Sequence, residues 1–159
     1  MNNKGFTLTE LTVTLALLGI MSAISIPSYF SWLPRHRLQT SVRQIYDDMN
    51  MARSMAVKNN TAAVAIFDIS NDTYTIFLDT IENWELDPGE TVISNGTLEN
   101  DVDITGPTFT SGDTHGFNSR GMSADTSTNV YDVYLTNSTG LFLGVRVSVA
   151  GCLEIISST

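Results

Sequence analysis

Glu10 is a single carboxylate at the mouth of a run, residues 11–34, that contains no Asp, Glu, Lys or Arg. As a helix those 24 residues would span about 36 Å, against a bilayer hydrocarbon core of about 30 Å. An ionised group at the edge of such a segment is costly and calls for a cationic partner, which makes Glu10 a functional residue by position alone. The other chemistry-bearing residues are sparse. His36 and His115 are far apart, show no metal-ligand spacing and are expected at the surface or in loops. Cys152 is the only cysteine, so no internal disulfide can form. It is expected as a small buried hydrophobe in a strand Cys152–Ile156, with a reactive or intermolecular thiol as the alternative in an oxidising compartment. Glu99, Asp101 and Asp103 alternate, as oxygen ligands on one side of a strand would. No Gly-centred calcium loop accompanies them, so a solvated face with Val102 and Ile104 turned inward is the expectation, and no metal or other cofactor is assigned. No Ser-His-Asp set, phosphate loop or CxxC pair is present, and an enzyme is not expected.

Two ordinary N-termini compete for the start of the chain. A secretory signal peptide would have a basic beginning, an apolar core and small residues such as Ala23-Ile24-Ser25 at its cleavage site. A plain transmembrane anchor would tolerate Thr12, Thr14, Ser22 and Ser25 by returning their hydroxyls to the i−4 carbonyls. Neither gives Glu10 a purpose.

Gly5-Phe6-Thr7-Leu8-Thr9-Glu10-Leu11 resembles the class III leader of type IV pilins and type II secretion pseudopilins. The resemblance implies cleavage between Gly5 and Phe6 by a prepilin peptidase, N-methylation of Phe6 and a cytoplasmic leader, residues 1–5, carrying Lys4. It places Glu10 at the fifth mature position, the family's acid, and Gly19 and Pro27 at its helix-loosening positions, with an aromatic following at Tyr29. An α-amino group has a pKa near 8, so the new Phe6 terminus would be the cation that Glu10 needs, within the subunit or from a neighbour. The family implies the neighbour, and with it a role for the pair in assembly.

The elements that must carry these residues follow from periodicity. Leu38, Val42, Ile45, Met49, Ala52 and Ala56 recur at helical spacing and form one apolar face, the seat for a sheet. Arg37, Gln44, Asp47, Asn50 and Arg53 lie opposite. Asn59-Asn60 are suited to a helix end. One helix from Phe6 to about Lys58 is therefore expected, loosened near Pro27 and Pro34. Beyond it come β-runs. Ala62–Asp68 and Thr73–Asp79 read as a hairpin, and Glu90–Ser94, Leu98–Ile104 and His115–Asn118 as short strands. Val130–Thr136, Leu141–Val149 and Cys152–Ile156 follow, the last two joined by Ala150-Gly151. The fold class is α+β: a long N-terminal helix, membrane-spanning in its first half, packed on an antiparallel β-sheet head. The expected divisions are a leader 1–5, a transmembrane and assembly helix 6–34, and a head 35–159 made of an amphipathic helix 35–58 and a β-rich part 61–159. Phe117-Asn118-Ser119-Arg120-Gly121, then Val145-Arg146-Val147-Ser148-Val149 and a Gly151-led last strand, resemble the GspH/FimT-type minor pseudopilins. In that subfamily a basic residue usually follows the last glycine, where this chain has Cys152.

Charge is divided unevenly. Residues 1–60 carry a net +3 and residues 61–159 a net −12. So acidic a head repels phosphate, and nucleic acid is disfavoured as a partner. The four Asn-x-Ser/Thr triplets at Asn59, Asn71, Asn95 and Asn137 are expected to serve turn chemistry. The resemblance implies a structural subunit of a type II secretion pseudopilus or type IV pilus, held in the bacterial inner membrane with a periplasmic head. Its partners would be the prepilin peptidase, other pilin subunits and the assembly platform. The competing readings are a major pilin and a tip module that binds a surface or secreted cargo through Thr80–Glu90 and Ser111–Asn129.

Overall fold

The computed structural model describes residues 5–107, 113–124 and 130–157, with backbone alone at 107 and 130. Residues 1–4 of the expected leader, Lys4 among them, and parts of the polar segment 111–129 lie outside the described residues.

Helix α1 runs Leu8–Asn59 and continues through Gly19, Pro27 and Pro34. The chain divides into two compact units, residues 1–33 and 34–159. Every described side chain of the first unit up to Trp32 is exposed, whereas the second unit folds around the predicted stripe. All six stripe residues, from Leu38 to Ala56, are at most 1% exposed. The helix stops where a left-handed residue is cheap. Asn60 takes φ 51°, its N–H reaches the Val57 carbonyl at 3.4 Å and the Thr61 N–H reaches that of Ala56 at 3.2 Å. That pair of bonds is the Schellman arrangement, which satisfies carbonyls the helix end would orphan.

Among the described residues eight strands follow: β1 Ala62–Asp68, β2 Thr73–Asp79, β3 Thr91–Thr97, β4 Val102–Pro107, β5 Thr114–Phe117, β6 Val130–Asn137, β7 Phe142–Ser148 and β8 Leu153–Ser157. They form two antiparallel four-stranded sheets, ordered β3-β2-β1-β5 and β4-β6-β7-β8. The core gathers the helix stripe with Ala63, Ala65, Phe67, Tyr74 and Ile76 of the first sheet and Tyr131, Val133, Leu135, Val145 and Val147 of the second. Alternation along each strand puts these side chains on one face. The first sheet is covered on its other face too. Val64 and Phe77 pair there with Gly116 in the register of β2, β1 and β5 and are fully buried, and the Trp84 ring lies against Gly116.

Several sequence expectations need correction. The run Leu98–Ile104 is not one strand, because Asp101 turns with φ 76° and Leu98 N–H closes onto the Asp72 carbonyl at 3.0 Å. Glu99 and Asp101 thus precede β4, and Asp101 accepts from Ser138 Oγ at 2.9 Å. Only Asp103 lies on the strand, exposed between buried Val102 and Ile104. His115 is not a surface residue. It is 1% exposed on β5, with its ring 5.1 Å from Phe117 and 5.0 Å from Tyr131. Cys152 is exposed rather than buried, since β8 begins one residue later and Cys152 closes the hairpin bulge. Asn95 stands in β3, not in a turn.

Candidate functional site

The first turn of α1 gathers the residues the sequence marks for processing. Thr7 is the cap residue. Its Oγ1 accepts the Glu10 N–H at 3.2 Å, while Glu10 Oε2 accepts the Thr7 N–H at 2.9 Å and the Thr7 hydroxyl at 3.0 Å. This reciprocal capping box satisfies donors that the helix start would leave unpaired. It was readable as Thr-x-x-Glu, and the sequence reading missed it by looking only for a charged partner. Gly5 has open space around it, and Phe6 is 92% exposed. The peptide bond between them therefore stands clear of the fold, one residue ahead of the amide that Glu10 already holds.

Downstream, among the described residues nothing covers the apolar side chains from Leu8 to Ile26. The helix is long and apolar enough to cross a membrane. Its hydroxyls are turned onto its own backbone: Thr12 and Thr14 reach i−3 carbonyls at 3.0 and 2.8 Å, rather than the expected i−4, while Ser22 and Ser25 reach i−4 at 2.7 and 2.9 Å. Tyr29 packs beside Phe30 and Trp32, centroids 6.1 and 6.3 Å apart, an aromatic cluster of the kind that marks a membrane–water boundary.

The head contains polar assemblies that periodicity could not show. Asp48 turns from the helix to accept Tyr74 Oη at 2.6 Å and Ser94 Oγ at 2.8 Å, and burial together with this carboxylate raises the Tyr74 pKa. Arg37 and Arg53, expected on the solvent face, bond Asn100 O at 3.4 Å and Gly121 O at 2.8 Å. Asp79 is fully buried and accepts the N–H groups of Ile81, Glu82 and Trp84 at 3.2, 2.6 and 2.9 Å. It holds Glu82 and Trp84 in the left-handed region, φ 61° and 67°. On the second sheet Arg146 makes a two-point pair with Asp132, both contacts 2.8 Å, and this hydrogen bonding holds the Asp132 carboxyl below the usual carboxylate range. Among the described residues no group of three or more His, Cys, Asp or Glu is arranged to hold a metal ion.

An uncovered apolar helix with a capped N-terminus, continuing into a head of two antiparallel sheets, defines a pilin-like protein. The chain belongs to the family of the type II transport protein GspH, which it matches over residues 41–151, and its residues 1–26 match the prokaryotic N-terminal methylation motif. It is a pilin-like subunit of a type II secretion pseudopilus or a type IV pilus. Its fold is similar to that of the type IV minor pilin FimU of Pseudomonas aeruginosa, with a TM-score of 0.60 and 13% identity over 77% of this chain and 90% of that one. It is also similar to the minor pseudopilin EpsH of the Vibrio cholerae type 2 secretion system, with a TM-score of 0.57 and 12% identity over 76% of this chain and 97% of that one. No curated protein matches the sequence.

Proposed function

We propose that the protein is a minor subunit of such a filament, cut between Gly5 and Phe6 by a prepilin peptidase and methylated at Phe6. Residues 6–34 hold it in the inner membrane with the head in the periplasm, until an assembly platform moves it into the filament beside other subunits. It acts by packing and not by catalysis. The observation that carries this reading is the Thr7–Glu10 cap beside an exposed Phe6. Capping turns the Glu10 carboxylate back toward the place where cleavage creates an amine. In hydrocarbon an ammonium–carboxylate contact is far cheaper than either ion alone. A neighbour's Phe6 amine can take the same carboxylate, so one acid serves both the helix start and the subunit register. Gly19 and Pro27 weaken helix stiffness locally, which suits a stalk that leaves the bilayer.

Intact-mass analysis of the mature protein tests the reading. The expected N-terminus is methylated Phe6, and a start at Ile26 would overturn it in favour of signal peptidase.

A tip-binding role is the second reading, favoured by the segment Thr80–Glu90. Asp79 from within, and Glu90 accepting Thr80 N–H at 2.7 Å and Asp87 N–H at 3.1 Å, order this loop and leave Ile81 and Leu86 exposed. Copy number in sheared filaments separates a scarce tip subunit from an abundant shaft subunit.

A further inference from the structure

The two edges of the β4-β6-β7-β8 sheet are treated differently. On β4 the outward Ile104 N–H is capped by Asp72 Oδ1 at 2.9 Å, which blunts that edge. No described strand pairs with the outer side of β8. The β7–β8 hairpin closes with Ser148 N–H on Cys152 O at 2.9 Å, and that bond fixes the phase of the ladder. Hydrogen-bonded and non-hydrogen-bonded pairs alternate in an antiparallel ladder, so Leu153, Ile155 and Ser157 turn their N–H and C=O groups away from β7. An open edge of this kind is a template for another strand.

The side chains at those positions face the helix, as their partners Val147 and Val145 do, yet Ile155 remains 42% exposed. Between α1 and the β7–β8 hairpin two adjoining cavities of about 440 and 180 Å³ form a groove. Its apolar floor is Leu38, Val42, Leu143 and Ile155, and its cations are Arg35 at the Ser157 end and Arg43 at the Ile155 end. Among the described residues no carboxylate lines either cavity. Arg35 and Arg43 are exposed, and neither is bonded or ion-paired within the described residues.

We infer that the β8 edge and this groove receive an extended strand of another polypeptide, with carboxylates at positions i and i+4 and an apolar side chain at i+2. Arg35 and Arg43 are eight residues apart on the helix, about 12 Å at 1.5 Å per residue. Four strand residues cover about 13 Å and return to the same face. Main-chain bonds to Leu153, Ile155 and Ser157 supply the attachment, and the groove selects the alternate side chains. Guanidinium groups favour carboxylate partners, and in a head, residues 35–159, of net −9 this groove is a cationic exception. In the reading above the donor is a neighbouring filament subunit. That assignment rests on the proposed function, whereas the chemistry of the groove does not.

The test uses the full-length protein in detergent micelles and an end-blocked, fluorescein-labelled heptapeptide, Thr-Asp-Thr-Val-Thr-Asp-Thr, followed by fluorescence anisotropy at low salt. Saturable binding is expected, at least tenfold tighter than for the peptide with both Asp replaced by Lys. Arg35→Glu with Arg43→Glu should lose tenfold or more. Ile155→Pro, which removes an outward N–H, should lose as much, and Ile155→Val, which keeps it, should bind as the parent does. If the proline variant does not fold by circular dichroism, the arginine pair decides. Absent saturable binding, equal binding of the two peptides or undiminished binding by the arginine variant would overturn the inference. The assay involves neither processing nor assembly, so its failure leaves the subunit reading standing.

Discussion

The Arg53 guanidinium of α1 donates from Nε to the Gly121 carbonyl at 2.8 Å, and this bond ties the core helix to the loop between the two sheets. Gly121 takes φ 73° and Gly151 φ 78°. The Gly121 carbonyl and the Arg53 side chain occupy the space a Gly151 Cβ would need. Here the two glycines of the family-like tail meet, and both are required by backbone conformation as well as by space.

Gly151→Ala therefore combines a left-handed alanine with a backbone clash. A left-handed non-glycine residue costs about 1–2 kcal/mol, and crowding adds about 1–3 kcal/mol. A drop in unfolding free energy of that combined size is expected in urea titration, larger than for Gly140→Ala, where open space leaves only the conformational cost. Equal effects at the two positions would refute the close approach.

Asp79→Ala should release the Thr80–Glu90 loop. Three backbone N–H groups lose their acceptor, each worth about 1 kcal/mol net and more when left buried. Trp84 should swing off Gly116, and its emission should shift to the red in a Trp32→Phe background. An unshifted spectrum would show that the loop is held by something else.

Acid should weaken the second sheet through Asp132. Its folded pKa lies below the ordinary value because Arg146 hydrogen-bonds the ionised form. The stabilisation is therefore fully present above the unfolded carboxylate pKa, near 3.9, and is lost as pH falls through the lower folded value. Asp132→Asn should be destabilised at pH 6, with a gap to the parent that narrows below about pH 4. A gap independent of pH would mean the pair contributes by packing alone.

Glu10→Gln separates two roles. Glutamine still serves the third helical position of a capping box, so helix content in detergent should match the parent, while Thr7→Ala should fray the first turn by about 1 kcal/mol. Filament incorporation of Glu10→Gln should nevertheless fall sharply, because the amide cannot neutralise an ammonium in hydrocarbon. Normal incorporation would show that the cap, and not the charge, is what assembly uses.

The legible parts of the molecule were those governed by local spacing. All six residues of the stripe Leu38–Ala56 lie on the buried helix face, which also takes in Ser41, and β1 and β2 were found at their observed limits, because a 3.6-residue or two-residue period records which face leaves water. The strand reading failed at Leu98–Asp101, where Asp72, distant in sequence, supplies the carbonyl that ends the run. The expected exposure was wrong at His115 and Cys152 for one reason. Polarity suggests exposure for a histidine and burial for a thiol, but position in the sheet decides. His115 sits on β5 over Tyr131, whereas Cys152 falls in a hairpin bulge at the edge.

By itself the sequence determined how the N-terminus is built. Gly5, Phe6, Thr7 and Glu10 are neighbours along the chain, the cap is a three-residue interaction, and the apolar run is a property of composition. The tertiary structure alone decided what the head presents. The Arg53–Gly121 tie and the arginine-flanked edge of β8 join residues separated by 68 to about 120 positions. Such contacts exist only once two sheets have closed on one helix, since burial and strand order, not local propensity, bring those groups together.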